Sequence, residues 1–500
     1  MELYYDDWNS FRPFTCGNYA TDFKNIETGH SFPDNETISR NKLYDFNHKL
    51  FTGEYCQDKN LIAVVDGNYQ EIPYRTLPLN YFELIVNKLD SLLFSNELTV
   101  KTGDIGRDNE VNKLIDRTRW TNTVREAVKL AQIYGDCVLK TGRHGASAVP
   151  PIFAYKVLDE SDKKRIKGIV YREILYDKQE GPSGTIYTPE YIRILVSGVD
   201  KYGGYEFERV FEYTGSNRSG LLGKPVRFKY RDRWIPKSGR LYRTGLECNT
   251  SQWLAVNSEK DVVYGTSSFS NVRDIIFAIE NRLSTENWVI DAHGKPLLVV
   301  GMGMMEPNNF TGGYIPRIIN GKYLINMGEG SGFIEPKYIE WDGKLDASQK
   351  VREDLMSAFY ELSELGKCFL SGEYTGNISE ESLNNIIKSA LDRGGREINS
   401  IWYDIRQSLY VLCCLNGINI NIEDINIEFH LGRTDDDKQV AEICGLLTTQ
   451  GILSKQTVLN RYFGYNEDQA LAELERIKIE NAGGVGDNDT TGKVETVIRE

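Results

Sequence analysis

The chain has 500 residues, 40% of them apolar and 26% charged, with 59 basic against 72 acidic side chains and a net charge of −13. Such a length calls for about two to four domains or one elaborate subunit of an assembly, and the composition excludes a largely disordered polymer. The acidic balance excludes a generic nucleic-acid coat, which needs a net positive surface, although an acidic protein can still guide DNA without gripping it.

In chain order, residues 1–80 read as irregular, being rich in Asn, Tyr, Asp and turn formers. After Pro78, the residues Leu79, Phe82, Ile85, Val86, Leu89, Leu92 and Leu93 recur at helical spacing and predict an amphipathic helix. A second helix is expected over Val111–Gly135, running into a strand at Gly135–Lys140. Gly168–Tyr176, Tyr191–Ser197 and Tyr205–Tyr213 are β-branched and aromatic runs between turn signals, so they predict an antiparallel meander.

A helix is expected from an N-cap at Ser267 or Ser268 to His293-Gly294-Lys295-Pro296, which stops it. Its stripe includes Ile275, Ile279 and Leu283. Short β-like segments follow, Leu297–Val300, Tyr323–Met327 and Phe333–Ile339, in a stretch rich in Gly, Met and Pro. A long helix is then expected over Asp346–Leu370, with Leu355, Phe359 and Leu362 on one face. Two helices flanking a compact β insertion are most economically an antiparallel pair carrying the insertion at its tip.

Ser371, Gly372, Glu373, Tyr374, Thr375, Gly376 and Asn377 form a loop, and Ser379 caps a helix to about Leu415 that Gly394-Gly395 should weaken or kink. Strands at Ile418–Ile422 and Ile425–Leu431 precede helices near Lys438–Gln450, Thr457–Phe463 and Glu467–Glu480, and a disordered tail is expected at 481–500.

Catalytic signatures are absent. No P-loop, H-E-x-x-H or G-x-S-x-G occurs, and Gly366-Lys367 is followed by Cys368 rather than Ser or Thr. The eight cysteines contain no C-x-x-C, and Cys413-Cys414 read as buried free thiols of a reducing compartment. The five histidines lie apart from one another. Asp435-Asp436-Asp437 reads as the acidic first turn of a helix rather than a cation site. Pro33-Asp34 with Glu36 and Lys42 is a faint nuclease-like carboxylate cluster, and a metal-dependent nuclease is the alternative function class, with another capsid or adaptor protein behind it. The N-terminus is too acidic and polar for a signal peptide, and the longest apolar run, near Pro296–Met305, is about half of a membrane span. The expectation is a soluble, intracellular protein with no enzyme activity, cofactor or metal.

The order of elements resembles the portal proteins of tailed bacteriophages, the ring subunits of the head-to-tail connector. Four segments carry the resemblance: Pro78–Phe94, PLNYFELIVNKLDSLLF; Ala127–Leu139, AVKLAQIYGDCVL; Tyr264–Glu280, YGTSSFSNVRDIIFAIE; and Gly451–Glu480, GILSKQTVLNRYFGYNEDQALAELERIKIE, with Asp435–Gly445 upstream. The loop SGEYTGNIS is more polar than its counterparts in the family.

The resemblance implies an α+β subunit divided into an α/β wing at 1–265, a first stem helix at 266–293 and a β-rich clip at 294–345. A second stem helix at 346–370, a tunnel loop at 371–378, a long kinked wing helix with strands at 379–431 and a helical crown at 432–480 would follow. It implies a ring, typically of twelve subunits, at one capsid vertex of the virion. Double-stranded DNA would pass through its channel, collared by the tunnel loop. The clip would meet the terminase and later the neck or adaptor proteins, with Leu297, Val299, Met302, Met304, Met305, Tyr323, Ile325 and Phe333 at that interface. Major capsid and scaffolding proteins are further partners it implies.

Overall fold

The computed structural model describes residues 35–55, 58–65, 68–75, 77–95, 98–158, 166–181, 184–213, 222–230, 233–258, 264–293, 297–300, 305–307, 314–316, 323–325, 337–339, 345–371, 380–429, 444–446, 448–449, 454–462, 470–471 and 473–478. They divide between two compact units, Met1–Lys101 with Glu110–Gly432, and Thr102–Asn109 with Arg433–Glu500. Helix and sheet are mixed throughout, an α+β fold.

The larger unit opens with α1 (Asn35–Thr52), the hairpin β1 (Asp58–Val65) and β2 (Asn68–Arg75), then α2 (Tyr81–Leu93) and β3 (Thr99–Lys101). The expectation of irregular structure is therefore corrected over residues 35–75, while residues 1–34 lie outside the described residues. α1 hid because the face it buries includes Arg40 and Asn47 beside Tyr44 and Leu50, so no clean apolar stripe marks it. α3 (Ile105–Thr118) and α4 (Trp120–Tyr134) follow. They replace the single helix expected at 111–135, because Arg119 takes a left-handed conformation at φ 52°. That break turns Trp120 fully into the core, where its indole N–H donates to Ser408 Oγ at 3.2 Å.

Next come β4 (Asp136–Gly142), β5 (Gly145–Val149), β6 (Ala154–Leu158), β7 (Ile166–Gly181), β8 (Gly184–Asp200) and β9 (Gly203–Tyr213). β10 (Leu222–Pro225), β11 (Phe228–Tyr230), β12 (Arg233–Ile235), β13 (Arg240–Arg243) and β14 (Ser251–Ala255) complete this region. The expected meander is present and longer than the sequence suggests: β10-β9-β8-β7-β6 run antiparallel in that order, with β13 also on β9. β14-β4-β5 make a second antiparallel sheet, and β11 pairs with β12.

α5 (Arg273–His293) starts later than a cap at Ser267 or Ser268 would give. Both serines are buried in the preceding turn, where Ser268 N–H donates to the Gln132 carbonyl at 2.9 Å. β15 (Leu297–Val300), β16 (Met305–Pro307), β17 (Tyr314–Pro316), β18 (Tyr323–Ile325) and β19 (Lys337–Ile339) follow. α6 (Leu345–Leu362) and the short α7 (Lys367–Ser371) replace the single helix expected at 346–370, with Glu364 and Gly366 at positive φ between them.

α8 (Glu380–Leu415) is one unbroken helix of 36 residues through Gly394-Gly395. The strand expected at Ile418–Ile422 is absent; Gly417 ends the helix at φ 83° and Ile422–Asp424 is a 3₁₀ turn, although Ile420 is still buried. β20 (Asn426–Glu428) pairs with β3. In the smaller unit α9 (Lys455–Tyr462) lies where a helix was expected. Most of the expected helix at 438–450, part of that at 467–480 and the tail at 481–500 lie outside the described residues.

The crossing point of the larger unit is Asp136, which has no exposed surface. Its carboxylate accepts from Arg40 (2.7 Å) and Tyr44 (2.7 Å) on α1, from Trp253 Nε1 on β14 (2.8 Å) and from the Gly265 N–H (2.9 Å). The backbones meet so closely that a Cβ on Gly135, itself at φ 93°, would stand 2.7 Å from the Gly265 carbonyl oxygen. Glycine alone fits there.

Beside this carboxylate the ammonium of Lys156, 2% exposed, lies 3.9 Å from the ring centre of Tyr264 and 4.7 Å from that of Trp253. Burial pushes the ammonium down to about 7, with Asp136 and Asp404 pulling it up and Arg40 pushing it further down. From pH 7 to the ordinary lysine value the unfolded chain holds this proton and the folded chain releases it, so stability rises with pH across that window. The Lys156→Met variant should therefore show its largest relative stability below pH 7, and this difference from the parent should shrink as pH rises towards 10. Urea unfolding at several pH values measures it; a difference independent of pH would contradict the assignment.

Candidate assembly surface

α5 and α6 lie antiparallel. Near the start of α6, Ser348 Oγ (2.7 Å) and the Arg352 guanidinium (2.9 Å) donate to the carboxylate of Glu286, late in α5. At the other end, Asn271 Nδ2 donates to the Leu362 carbonyl at 2.7 Å. Ile276, Ile279, Phe359 and Leu365 are fully buried between and beneath the helices, with Ile275, Leu283 and Leu355 packed against them.

The segment before α2 zips along α5: Leu77 N–H donates to Ser284 Oγ (2.8 Å) and Leu79 N–H to Glu280 (2.9 Å). Burial raises the Glu280 carboxyl, while hydrogen bonds from Tyr55 and Leu79 act in the opposite direction.

The base of the pair is clamped by Arg393 of α8. Its guanidinium donates to the carbonyls of Ser268, just before α5, and Ser363, just after α6. Glu397, one turn on, lies 3.5 Å from Arg393 Nε and accepts from Gln132 (3.0 Å) and Asn257 (3.4 Å). A charged donor holding two carbonyls is a strong tether, and it takes the Ser363 carbonyl just where α6 ends.

Part of the pair is left open in the single chain. Ile290 is 51% exposed, Val351 40% and Leu362 49%. On α6, Val351 and Leu362 fall on one side of the helix, at the exposed edge of the stripe that carries Leu355 and the buried Phe359.

Of the stem residues expected from the sequence, Ile275, Ile279, Leu283, Leu355 and Phe359 are brought together, and Leu362 is not: it faces outward. In the intervening module, β15 pairs in parallel with β18 and antiparallel with β19, placing Leu297, Val299, Tyr323 and Ile325 in one small sheet. Met305 lies on the separate β16–β17 hairpin. Met302, Met304 and Phe333 lie outside the described residues, as do Gly372, Glu373, Tyr374, Thr375, Gly376 and Asn377; Ser371 is the last residue of α7.

Sequence reasoning missed the Arg393 clamp, although Arg393 and Glu397 stand four apart in a long helix beside two glycines. Among the described residues no group of three His, Cys, Asp or Glu side chains could hold a metal ion, and no helix is long and apolar enough to cross a membrane.

No family model matches the chain, and no curated protein matches it. Solved structures do. The chain is similar to one in the neck of a native gene transfer agent (GTA) particle computed with C12 symmetry, at 7% identity and TM-score 0.39, covering 86% of this chain and 94% of that one. It is similar to one in the neck of an empty GTA particle computed with C6 symmetry, at 9% identity and TM-score 0.40, covering 86% and 95%. A third match, in the virion of a native GTA particle, has 9% identity and TM-score 0.38, covering 88% and 96%.

Covered and exposed positions of the helix pair should separate under mutation. Phe359→Ala should cost about 3–5 kcal/mol of folding stability, whereas Leu362→Ala should stay within about 0.5 kcal/mol. Urea unfolding of the dissociated chain measures both; equal costs would contradict the division of faces.

Proposed function

We propose that this chain is the ring-forming subunit of a portal at a capsid vertex, a non-enzymatic conduit for double-stranded DNA during packaging and ejection. The observation that carries this reading is the antiparallel α5–α6 pair, which is clamped at its base and keeps the apolar Ile290, Val351 and Leu362 uncovered. Exposed apolar side chains along a helix pair favour burial against another chain, and identical copies meeting head to tail close into a ring when their rotation allows. A typical ring of this kind has twelve subunits. The acidic net charge suits a conduit, because walls that repel phosphate keep the polymer moving.

In this reading residues 294–345 form the clip that meets the terminase and then neck or adaptor proteins. Major capsid and scaffolding proteins surround the body of the ring, and the loop at 371–378 forms its collar, with Glu373 repelling passing phosphates. The β strands at 297–339 are only three or four residues each. A module so small is marginal alone, which supports its sharing strands with neighbours.

Native mass spectrometry tests the proposal. The parent should run as a closed ring of several hundred kDa. The double variant Val351→Glu, Leu362→Glu should run as a folded 57.0 kDa monomer with unchanged circular dichroism. A parent that stays monomeric or dimeric across salt and protein concentration would overturn the reading.

A further inference from the structure

One stretch runs against the charge of the whole. Residues 224–243, KPVRFKYRDRWIPKSGRLYR, hold eight Lys and Arg against a single Asp, a local net of +7; taken from −13, this leaves −20 to the other 480 residues. Four aromatics are interleaved with these cations.

The fold gathers much of this charge on one surface. The β11–β12 hairpin is anchored by its Phe228–Tyr230 side: Phe228 packs on Tyr191 of β8 with ring centres 5.0 Å apart, and the Tyr230 hydroxyl donates to Glu173 of β7 at 3.1 Å. In the register of the hairpin Lys229 stands opposite Trp234. Both are exposed, Trp234 by 52%, and the Arg227 guanidinium lies 4.4 Å above the indole. On β13, Arg240 lies 4.7 Å from the ring centre of Tyr242. The Tyr242 hydroxyl senses the positive charge of both Arg240 and Arg233, so hairpin and β13 contribute to one field.

The nearby carboxylates are already engaged. Glu208 accepts from Arg193 (2.8 Å) and from Tyr242 (2.8 Å), and Glu173 accepts from Arg193 (3.0 Å) as well as Tyr230. Among the described residues no ion pair engages Arg227, Arg233, Lys237 or Arg240.

We propose that this β11–β12–β13 surface is a sequence-independent binding site for the phosphate backbone of duplex DNA, separate from any channel. Its chemistry selects that ligand. A guanidinium stacked on a ring has its plane fixed while its N–H edges still reach phosphate oxygens, and the planar fork matches phosphate geometry. Clustered cations on an otherwise acidic molecule attract a polyanion locally, without coating the whole surface. The site would hold DNA against the outside of the body while the acidic remainder lets the polymer slide elsewhere.

The test uses the purified full chain and a labelled random-sequence duplex in fluorescence anisotropy, over about 50 to 200 mM salt. The triple variant Arg227→Ala, Arg233→Ala, Lys237→Ala should lose at least about tenfold in affinity, and the slope of log affinity against log salt should shrink by about 2 to 3. The charge-conserving double variant Arg227→Lys, Arg233→Lys, with Lys237 unchanged, should preserve most of the binding. A control of equal charge change at exposed sites elsewhere, Lys113→Ala, Arg143→Ala, Lys388→Ala, should bind like the parent. Affinity unchanged in the triple variant, or lost equally in the control, overturns the site. Native mass of the same samples is read in parallel: loss of ring mass with unchanged DNA affinity would make the surface a contact between copies and also overturn the proposal. A monomeric parent whose triple variant loses DNA affinity would reject the ring and leave this site standing.

Discussion

The larger unit depends on one buried carboxylate. An unpartnered carboxylate taken out of water costs several kcal/mol, and Asp136 avoids that cost only because donors converge on it from α1, β14 and the Gly265 turn. The donors come from three different parts of the chain. The bonds therefore fix register: α1 cannot slide along β4, nor β14 along the turn that leads to α5, without leaving a charge unpaired. Two facing glycines let the backbones approach closely enough for these bonds to close. Apolar packing alone would tolerate small shifts of these elements; a set of short directional bonds to one atom group does not.

From that node the constraint passes to the helix pair. The Gly265 turn leads through the buried Ser267 and Ser268 into α5, and Arg393 holds the Ser268 carbonyl together with that of Ser363. Both helices are thus tied, at the base of the pair, to one residue of α8. Apolar burial and the bonds of Glu286, Ser284 and Glu280 hold the rest of the pair, and Ile290, Val351 and Leu362 stay open for the neighbouring copy that the proposed ring would supply. A rigid base with an uncovered flank is what a repeated interface requires, since small errors in angle accumulate around a closed ring.

Much of this was legible in the sequence. Helical periodicity marked α2, α4, α5, α6 and α8, and alternating runs marked β7, β8 and β9, because there the buried face is apolar and the period is clean. α1 was not legible, since its buried side chains include Arg40 and Asn47, whose partners lie far along the chain. The breaks at Arg119 and at Glu364-Leu365-Gly366 were hidden for a related reason: apolar spacing continues through both, while the bonds of Trp120 to Ser408 and of the Ser363 carbonyl to Arg393 involve partners far along the chain. Leu362 fitted the inner stripe by spacing and lies outside it, because a continuous 3.6-residue count does not register where a helix stops being covered. The basic surface around β11, β12 and β13 was masked by averaging: a whole-chain charge of −13 conceals a local +7 that a windowed count reveals.

The most direct test of this account is native-state hydrogen exchange on Arg393→Met beside the parent. If Arg393 is the tether that joins the base of the helix pair to α8, amides of residues 266–276 and 359–370 should lose protection together in the variant, while those of the β7–β9 sheet keep theirs. Protection of both segments unchanged from the parent, or lost evenly across the whole unit, would contradict it.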